Sequence, residues 1–456
     1  MANIRALRQY FFTLILCLGL GGEAFAETFS EALAKAYQSN PTLAAARAQL
    51  RVIDEGVSQA LGLWRPSISL SYEAGKDWRD LSGNSVTGSR NRDLTPRTTK
   101  ASVVQKIYDG GQTNATVDSA EAEVKAQRAR LILAEQNVLF DAGSAYLDVF
   151  RDQAVLELNR NNEAVLKRQL QATKDRFEVG EVTKTDVSLA EARFSGSVAA
   201  RIAAEGQLAN SRASFRRIIG SFPNALSRVV PLGGIPESQK AAISIARDRS
   251  PALIAARYRE SSARFNVKKI TGAFLPSVSV EGGVSRSEES SSQDTRTDSL
   301  EILATIKIPL YQRGIVSSET REAKHTLAQR RLELDAAIQD SVEKATRAWE
   351  SLVSTRARIK ALISEISASQ IALEGIKQEA QVGSRTVLDV LDAEQELLDA
   401  RVKLVGAERS EVVATMELHR SLGSLTAKDL KLPVKFYDPD KNYNQSKNKI
   451  WGTSVE

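Results

Sequence analysis

Two halves of the 456-residue sequence carry the same landmarks in the same order, and this duplication limits the fold more than any other feature. Two proline landmarks return after 210 residues: Asn40-Pro41 as Ser250-Pro251, and Pro66 as Pro276. The later landmarks return after 203 residues: Tyr108 as Tyr311, Val179-Gly180 as Val382-Gly383, Asp186-Val187 as Asp389-Val390, and Ile219-Gly220 as Leu422-Gly423. The seven missing residues all lie between the proline and tyrosine landmarks, so this interval is predicted to be a loop that tolerates changes in length.

Each copy is predicted to contain two β-strands. After Pro66, apolar residues alternate with polar ones, and this period of two indicates a strand with one apolar face. The predicted strands lie at about 66–76, 99–108, 276–285 and 300–309. The Ser/Gly/Asn-rich stretches 80–97 and 285–298 are predicted to be polar, exposed loops. Strands of about ten residues are long enough to cross a bilayer when they are tilted.

The remaining segments carry the apolar spacing of coiled coils. Residues seven apart are apolar in three series: Val117, Val124, Leu131, Val138 and Ala145; Ile338, Ala345, Leu352, Ile359, Ile366 and Leu373; and Leu391, Leu398, Val405 and Val412. The stretch 112–177 contains no proline, and at a rise of 1.5 Å per residue it predicts a helical rod of about 100 Å. One globular domain has no room for such a rod, so a fibrous or tubular protein is expected.

The first 26 residues are predicted to be a secretory signal peptide. Arg5 and Arg8 precede the apolar run 11–20, and Ala24-Phe25-Ala26 has the pattern of a cleavage site. The single cysteine, Cys17, lies in this segment, so the mature chain is expected to depend on packing or oligomerisation instead of disulfides. Basic and acidic residues, 62 and 56 in number, are interleaved along the helices. This pattern indicates a solvated surface and no nucleic-acid partner.

Four amphipathic strands in one chain cannot close a barrel, and open sheet edges are not tolerated in lipid. Three copies supply twelve strands, which predicts a homotrimer with a membrane β-barrel continued by helices. Pro66 and Pro276 prevent the helices from continuing into the strands, and Gly110-Gly111 and Gly314 permit the return turns. Trp64 and Phe274, beside these junctions, are expected either in a membrane-interface aromatic belt or in a packed core.

The duplicated unit, the proline and glycine junctions and the segment Val382-Gly383-Ser384-Arg385-Thr386-Val387-Leu388-Asp389-Val390-Leu391-Asp392-Ala393 resemble the TolC family, in particular its BepC-like members. The resemblance covers residues 28–432. It implies a mainly α fold with membrane β: a trimeric 12-stranded outer-membrane β-barrel continued by a periplasmic α-helical coiled-coil barrel. It also implies a periplasmic membrane-fusion (adaptor) protein, an inner-membrane RND or ABC transporter and outer-membrane lipid as partners.

The resemblance also assigns residues at the two helix-hairpin turns. Residues of a periplasmic gate and selectivity ring are Asp389, Asp392, Arg385, Thr185 and Asp186, and adaptor-docking residues are Gly180, Val182, Gly383 and Thr386. Arg385 is expected to bond Thr185 or Asp186 in the closed channel. Ala380 stands where the family often has a gate tyrosine, so one usual link is missing. From the residues alone, Thr183 or Thr185 and Thr386 are equally explained as N-caps of the returning helices.

The expected organisation is a signal peptide at 1–26, a first repeat at 27–220, a linker at 221–240, a second repeat at 241–423 and a polar tail at 424–456. The tail is expected to be disordered from residue 438. The expected function is the outer-membrane channel of a tripartite efflux pump or type I secretion system, exporting drugs, bile salts, other toxic compounds or proteins. The alternatives are a passive outer-membrane conduit and a trimeric coiled-coil adhesin, against which the duplication argues. No catalytic constellation, cofactor or metal is expected, because His325 and His419 lack neighbouring ligand-type residues in the sequence.

Overall fold

The computed structural model describes residues 27–80 and 91–454 of the chain. The predicted signal peptide, 1–26, and residues 81–90 of the first predicted loop lie outside the described residues. Each repeat contains two helices, then strands, then two long helices. The first repeat consists of α1 Phe29–Ser39, α2 Pro41–Gly62, β1 Ser67–Ala74, β2 Asp77–Asp80, β3 Asn91–Leu94, β4 Arg97–Tyr108, α3 Gln112–Glu178 and α4 Lys184–Ile219. The second consists of α5 Gln239–Arg249, α6 Pro251–Gly272, β5 Ser277–Glu288, β6 Arg296–Lys307, α7 Ile315–Gln381 and α8 Val387–Ser421, and it is followed by α9 Pro439–Ser446.

The duplication seen in the sequence also sets the bounds of the elements. The long helices α3 and α7 each contain 67 residues and begin 203 residues apart. The helices α2 and α6 each contain 22 residues and begin 210 residues apart. The change in offset therefore falls among the strands, where the first repeat has the extra pair β2–β3 and the second joins β5 to β6 through residues 289–295.

The heptad pattern predicts which side of the long helices is covered. Seven members of the first two series have less than a tenth of their surface exposed: Val124, Leu131, Val138, Ala145, Ala345, Leu352 and Leu373. The same holds for Leu391 and Val412 of α8. Within the described residues, no helix is both long and apolar enough to span a bilayer.

The four longer strands form one antiparallel sheet in the order β1-β4-β5-β6, so β4 and β5 join the first repeat to the second. One row across the sheet is apolar, Leu70 facing Ala101, which faces Val284, which faces Leu300. The next row is polar: Ser71, Lys100, Ser285 and Ser299. Ile68 and Leu70 are both 75% exposed on the apolar face. An exposed face of this kind is typical of a sheet that meets lipid.

The predicted loops are partly wrong, because strand pairing extends into them. The stretch 285–298 was expected to be a polar loop, yet β5 continues to Glu288 and β6 starts at Arg296. Ser285 pairs with Ser299 through their hydroxyl groups, 2.7 Å apart. In the stretch 80–97, β3 and the start of β4 are likewise strands. Cross-strand pairs of hydroxyl side chains also stabilise a β-sheet. A polar composition therefore did not indicate where the strands end.

The chain divides into two compact units, whose boundary crosses α3 and α7. The first contains residues up to 43, 135–242 and 345–436. Its core includes Tyr146, whose hydroxyl lies 2.7 Å from the carbonyl oxygen of Glu27 and 2.9 Å from that of Ser227. The ring of Phe29 meets the ring of Tyr146 edge-on at 5.4 Å. Burial raises the pKa of the Tyr146 hydroxyl, which therefore stays protonated and holds Glu27 next to Ser227 in the segment after α4.

The second unit contains residues 44–134, 243–344 and 437–456, and therefore the whole sheet. At its strand-to-helix junction, Gly110 has φ +70° and Gly111 has φ +77°. The carboxylate of Asp109 accepts the backbone N–H of Thr113 at 2.9 Å and so caps the start of α3. Gly110 packs directly on the end of α6, because a Cβ added to it would lie 2.2 Å from the carbonyl oxygen of Gly272.

We expect Gly110→Ala to destabilise this junction more than Gly111→Ala does. Both substitutions place alanine in the left-handed region, at a cost of about 1–2 kcal/mol. Only the alanine at 110 also collides with backbone, since nothing lies within 4 Å of a Cβ at 111. Thermal unfolding in detergent, followed by circular dichroism, measures the difference. Equal melting temperatures for the two variants would contradict the close approach of Gly110 to Gly272.

Candidate functional site

The candidate site consists of two tips, defined as the turns 179–183 and 382–386 with the first helical turns that follow them. Gly180 has φ +79° and Gly383 has φ +80°, a conformation that glycine adopts without strain. In each tip a backbone N–H after the glycine reaches back to the preceding helix, Glu181 to Arg176 and Ser384 to Glu379, both at 2.9 Å. These are the bonds with which a helix ends at a left-handed residue, so both glycines are needed for the turn itself.

Each returning helix begins with a reciprocal capping box. Thr183 caps α4 and Thr386 caps α8; the hydroxyl oxygen of each accepts the backbone N–H of the residue three positions on. The carboxylates of Asp186 and Asp389 accept in return the backbone N–H of Thr183 at 2.8 Å and of Thr386 at 2.9 Å. The sequence allowed either Thr183 or Thr185 as the N-cap of α4. The N-cap is Thr183, and Thr185 lies within the first turn of the helix.

These bonds hold both aspartates in the charged form. The hydroxyl of Thr183 and then its backbone N–H lower the pKa of Asp186. The backbone N–H of Thr386 and then its hydroxyl lower the pKa of Asp389. Both carboxylates are therefore ionised at neutral pH, and both are already used as acceptors by their own turns.

Each tip also contains an ion pair, and the two pairs have opposite polarity. In the first tip Arg176, near the end of α3, bonds Glu181 of the turn at 3.0 Å. In the second, Glu379 near the end of α7 bonds Arg385 of the turn at 2.8 Å. Glu379 is the repeat equivalent of Arg176 with the opposite charge, but the partners are not equivalent, because Ser384 stands at the position of Glu181. Hydrogen bonding to Glu379 raises the pKa of Arg385.

The predicted bond from Arg385 to Thr185 or Asp186 is not formed within one chain and stays a prediction for the assembled channel. Arg385 donates to Glu379 in its own tip, and Asp186 accepts from Thr183 in the other. Local partners three to six residues away take both groups, because such short loops are closed at little entropic cost. The sequence motif identifies the residues of the two tips, but it contains no information on which neighbour each side chain selects.

One ion pair joins the two repeats near the tips. Arg193 of α4 donates to Asp392 of α8 with a nitrogen–oxygen distance of 2.5 Å. Both side chains are partly exposed, 39% and 55%. Sequence reasoning identified Asp392 and missed Arg193, since the equivalent position in the second repeat is Glu396 and the pair has no counterpart there.

Apolar packing also links the tips. Val387 and Leu391 of α8 are buried with Leu166 of α3, and Val182 and Leu189 pack against this cluster. Val182, which the resemblance assigned to adaptor docking, therefore has part of its surface covered within the chain. The exposed apolar residues of the tips are Val179, 72% exposed, and its repeat equivalent Val382, 78% exposed.

Neither histidine belongs to a ligand cluster in the part of the chain that the structure describes, where the His, Cys, Asp and Glu side chains form no group able to hold a metal ion. His419 is buried, and its Nδ1 lies 2.9 Å from the hydroxyl of Ser424. Burial lowers the pKa of His419, which keeps the imidazole neutral at the end of α8. The chemistry at the tips is therefore that of carboxylates and guanidinium groups.

The family model described as outer membrane efflux protein matches residues 32–221 and 242–424, one match for each repeat. The chain belongs to this family. The outer membrane efflux protein BepC of Brucella suis biovar 1 is 35% identical over 434 residues, which are 95% of this chain and 93% of that protein. The outer membrane protein TolC of Vibrio cholerae is 29% identical over 421 residues, with 90% and 94% covered.

The fold agrees with solved structures of such channels. The crystal structure of the Campylobacter jejuni CmeC outer membrane channel superposes with a TM-score of 0.79 at 14% identity, covering 92% of this chain and 89% of that one. The protein is thus an outer-membrane efflux channel of the TolC type with a periplasmic helical part, as the sequence predicted. The family is a transport family, and the adhesin alternative has no support among these matches.

We expect Thr183→Ala to loosen the first tip while Thr185→Ala leaves it intact. Loss of an N-cap costs about 1 kcal/mol, which corresponds to about a five-fold faster hydrogen exchange of the amides of residues 184–187. Thr185 serves as a matched control because it lies two positions away on the same turn. Hydrogen–deuterium exchange with mass spectrometry reports both variants. Faster exchange in Thr185→Ala than in Thr183→Ala would contradict the assigned cap.

Proposed function

We propose that three copies of the chain form one closed duct across the outer membrane, which carries compounds out of the cell. The strands β1 and β6 are the two edges of the described four-stranded sheet, and each carries backbone groups on its outer side without a partner in that sheet. Lipid offers no hydrogen bonds to such groups. Pairing β6 of one copy with β1 of the next satisfies them, and three copies give twelve strands. The exposed apolar face of the sheet, which includes Ile68 and Leu70, then meets lipid.

The second step concerns the partners of the tips. A periplasmic adaptor protein is proposed to bind them, and through it an inner-membrane RND or ABC transporter supplies the energy. The glycine turns at Gly180 and Gly383 present Val179 and Val382 to solvent, and Thr386 fixes the start of α8 beside them. Exposed apolar residues on a turn form a surface that a partner protein can cover. Val182 packs on the cluster with Leu166, so it helps to hold the turn that carries Val179 in place.

The third step concerns closure and ion preference at the same end. Asp389, Asp392, Arg385, Thr185 and Asp186 are proposed to line the periplasmic constriction. In one chain Asp389 accepts from Thr386 in the capping box of α8, and Asp392 is paired with Arg193. The negative field at the constriction is therefore weaker than the field that two unpaired carboxylates per chain would produce. An exposed ion pair contributes about 0–1 kcal/mol, and the three copies of Arg193–Asp392 in a trimer act together on the α4–α8 spacing.

The function is tested by deletion and complementation in the source bacterium. We expect the deletion to sensitise cells to bile salts, dyes and hydrophobic drugs, or to abolish export of a protein, and the wild-type gene to restore the phenotype. The double variant Val179→Asp with Val382→Asp is expected to reach the outer membrane as a trimer and still fail to restore it. The conservative pair Val179→Ile with Val382→Ile is the matched control and is expected to restore it.

Three outcomes would count against the proposal. Unchanged drug susceptibility and an unchanged secretome in the deletion strain would exclude an active duct. Full complementation by the double aspartate variant would favour a passive conduit that needs no adaptor. A monodisperse monomer, measured by light scattering corrected for bound detergent, would contradict the closed sheet.

The gate is tested in planar bilayers with three arginine variants. We expect Arg193→Ser to raise single-channel conductance and cation selectivity, since it releases α4 from α8 and leaves Asp392 unpaired. The same variant is expected to increase vancomycin entry into cells. Arg385→Ser is expected to have a smaller effect because Arg385 pairs within its own tip. Arg176→Ser, which breaks the local pair of the first tip, is the control. Wild-type conductance in Arg193→Ser would contradict this gate.

A further inference from the structure

Residues 437–454 belong to the second unit and contain a helix, although the sequence predicted a disordered tail. Asp438 caps a short helix, α9, by accepting the backbone N–H of Asp440 at 2.9 Å, and Pro439 occupies its first position. Proline there is compatible with the helix because its missing N–H has no acceptor at that position. The prediction of disorder was therefore wrong for α9. Polar composition concealed a helix whose contacts are with distant parts of the chain.

Four polar side chains of this segment bind the helices α2 and α3. Asn442 donates to the carboxylate of Asp54 at 2.8 Å, and Asp54 is fully buried in α2. Asp440 pairs with Arg128 of α3 at 2.7 Å, and the same guanidinium lies over the ring of Tyr443 at 5.3 Å. Tyr443 and Lys447 both donate to the carboxylate of Glu121 at 3.3 Å. Charge-assisted bonds of this kind fix the position of α9 along α3.

The segment then returns to the junction between helix and strand. Arg65, which follows α2 and stands two residues before β1, donates to the carbonyl oxygen of Lys449 at 3.1 Å. This bond places the next two residues, Ile450 and Trp451, beside the start of the sheet. They are 68% and 86% exposed. Large apolar side chains held in this way at a chain end are an interaction surface that folding of the single chain does not explain.

Two observations indicate what covers this surface. First, β1 begins at the same junction, and its residues Ile68 and Leu70 lie on the exposed apolar face that meets lipid in an outer-membrane protein. The exposed residues and the sheet therefore start from the same helix-to-strand junction. Second, two basic side chains, Arg65 and Lys449, flank this surface, whereas Lys447 is paired with Glu121. Tryptophan beside basic residues is typical of segments at the boundary between lipid and water.

We propose that the C-terminal segment is an interfacial anchor, in which Ile450 and Trp451 enter the headgroup region of the periplasmic leaflet of the outer membrane and Arg65 and Lys449 face its anionic phospholipid. The helix α9 acts as the strap that holds the anchor at the junction. The inference depends on the outer-membrane location and on the periplasmic position of the helices. It does not depend on the cargo, on the adaptor or on the gate.

The test uses the full-length protein reconstituted in bilayers that contain phospholipid brominated near the headgroup, which quenches nearby tryptophan. The chain has four tryptophans: Trp64, Trp78, Trp349 and Trp451. We expect Trp451→Phe to remove a component of the fluorescence that the brominated lipid quenches. Trp349→Phe, in the long helix α7, is the matched control and is expected to remove only unquenched emission. Because Trp451 is largely exposed, phenylalanine at this position is compatible with the fold.

The lipid charge is varied in the same assay. Quenching of Trp451 is expected to be greater with brominated phosphatidylglycerol than with brominated phosphatidylcholine, and Lys449→Gln, which leaves the Lys447–Glu121 pair in place, is expected to reduce that difference. An unquenched Trp451 component would overturn the anchor. If that component has blue-shifted emission, Trp451 packs on protein, such as a second copy of the chain; if its emission is that of water-exposed indole, the segment stays in solvent. Loss of transport with normal quenching would overturn the proposed duct and leave the anchor in place.

Discussion

The rest of the structure depends on the hydrogen-bonded ladder between β4 and β5, which pairs Arg97 with Glu288 at one end and Tyr108 with Val278 at the other. It is the ladder at which strands of the two repeats meet, about 180 residues apart in sequence. In lipid every backbone group needs a partner within protein, so the sheet must use both repeats and still lacks closure at its two edges. Duplication of the strands and assembly of several chains are thus two answers to the same requirement.

The tips show how duplicated sequences acquire different local chemistry without losing their fold. Both keep the glycine turn and the threonine–aspartate capping box, because these features satisfy the free backbone groups where each helix starts. The ion pairs differ: Arg176–Glu181 in one tip and Glu379–Arg385 in the other. Backbone geometry is therefore conserved between the repeats, and surface charge is free to diverge. The inter-repeat pair Arg193–Asp392 arises from this divergence, since its symmetric counterpart has no arginine.

The tips and the helix-to-strand junction place different demands on the same kinds of residue. At the tips, apolar residues such as Val179 and Val382 are exposed on turns, where a protein partner can cover them. At the junction with the sheet, Ile450 and Trp451 are exposed beside basic groups, where phospholipid is the suitable neighbour. Burial within one chain leaves both surfaces uncovered. Their roles come from what surrounds the protein in the cell envelope.

The sequence by itself determined the duplicated order of elements, the long helices, the strand character after Pro66 and Pro276, and the family. These depend on periodicity, proline and glycine, which act over a few residues and so can be read locally. It also determined which residues form the tips. Only the tertiary structure decided the strand ends, the cap at Thr183 over Thr185, the partners of Arg385 and Arg193, and the presence of α9. In each of these cases a polar or charged side chain has several possible partners. The three-dimensional arrangement of the fold selects one of them, and the local sequence does not show which one.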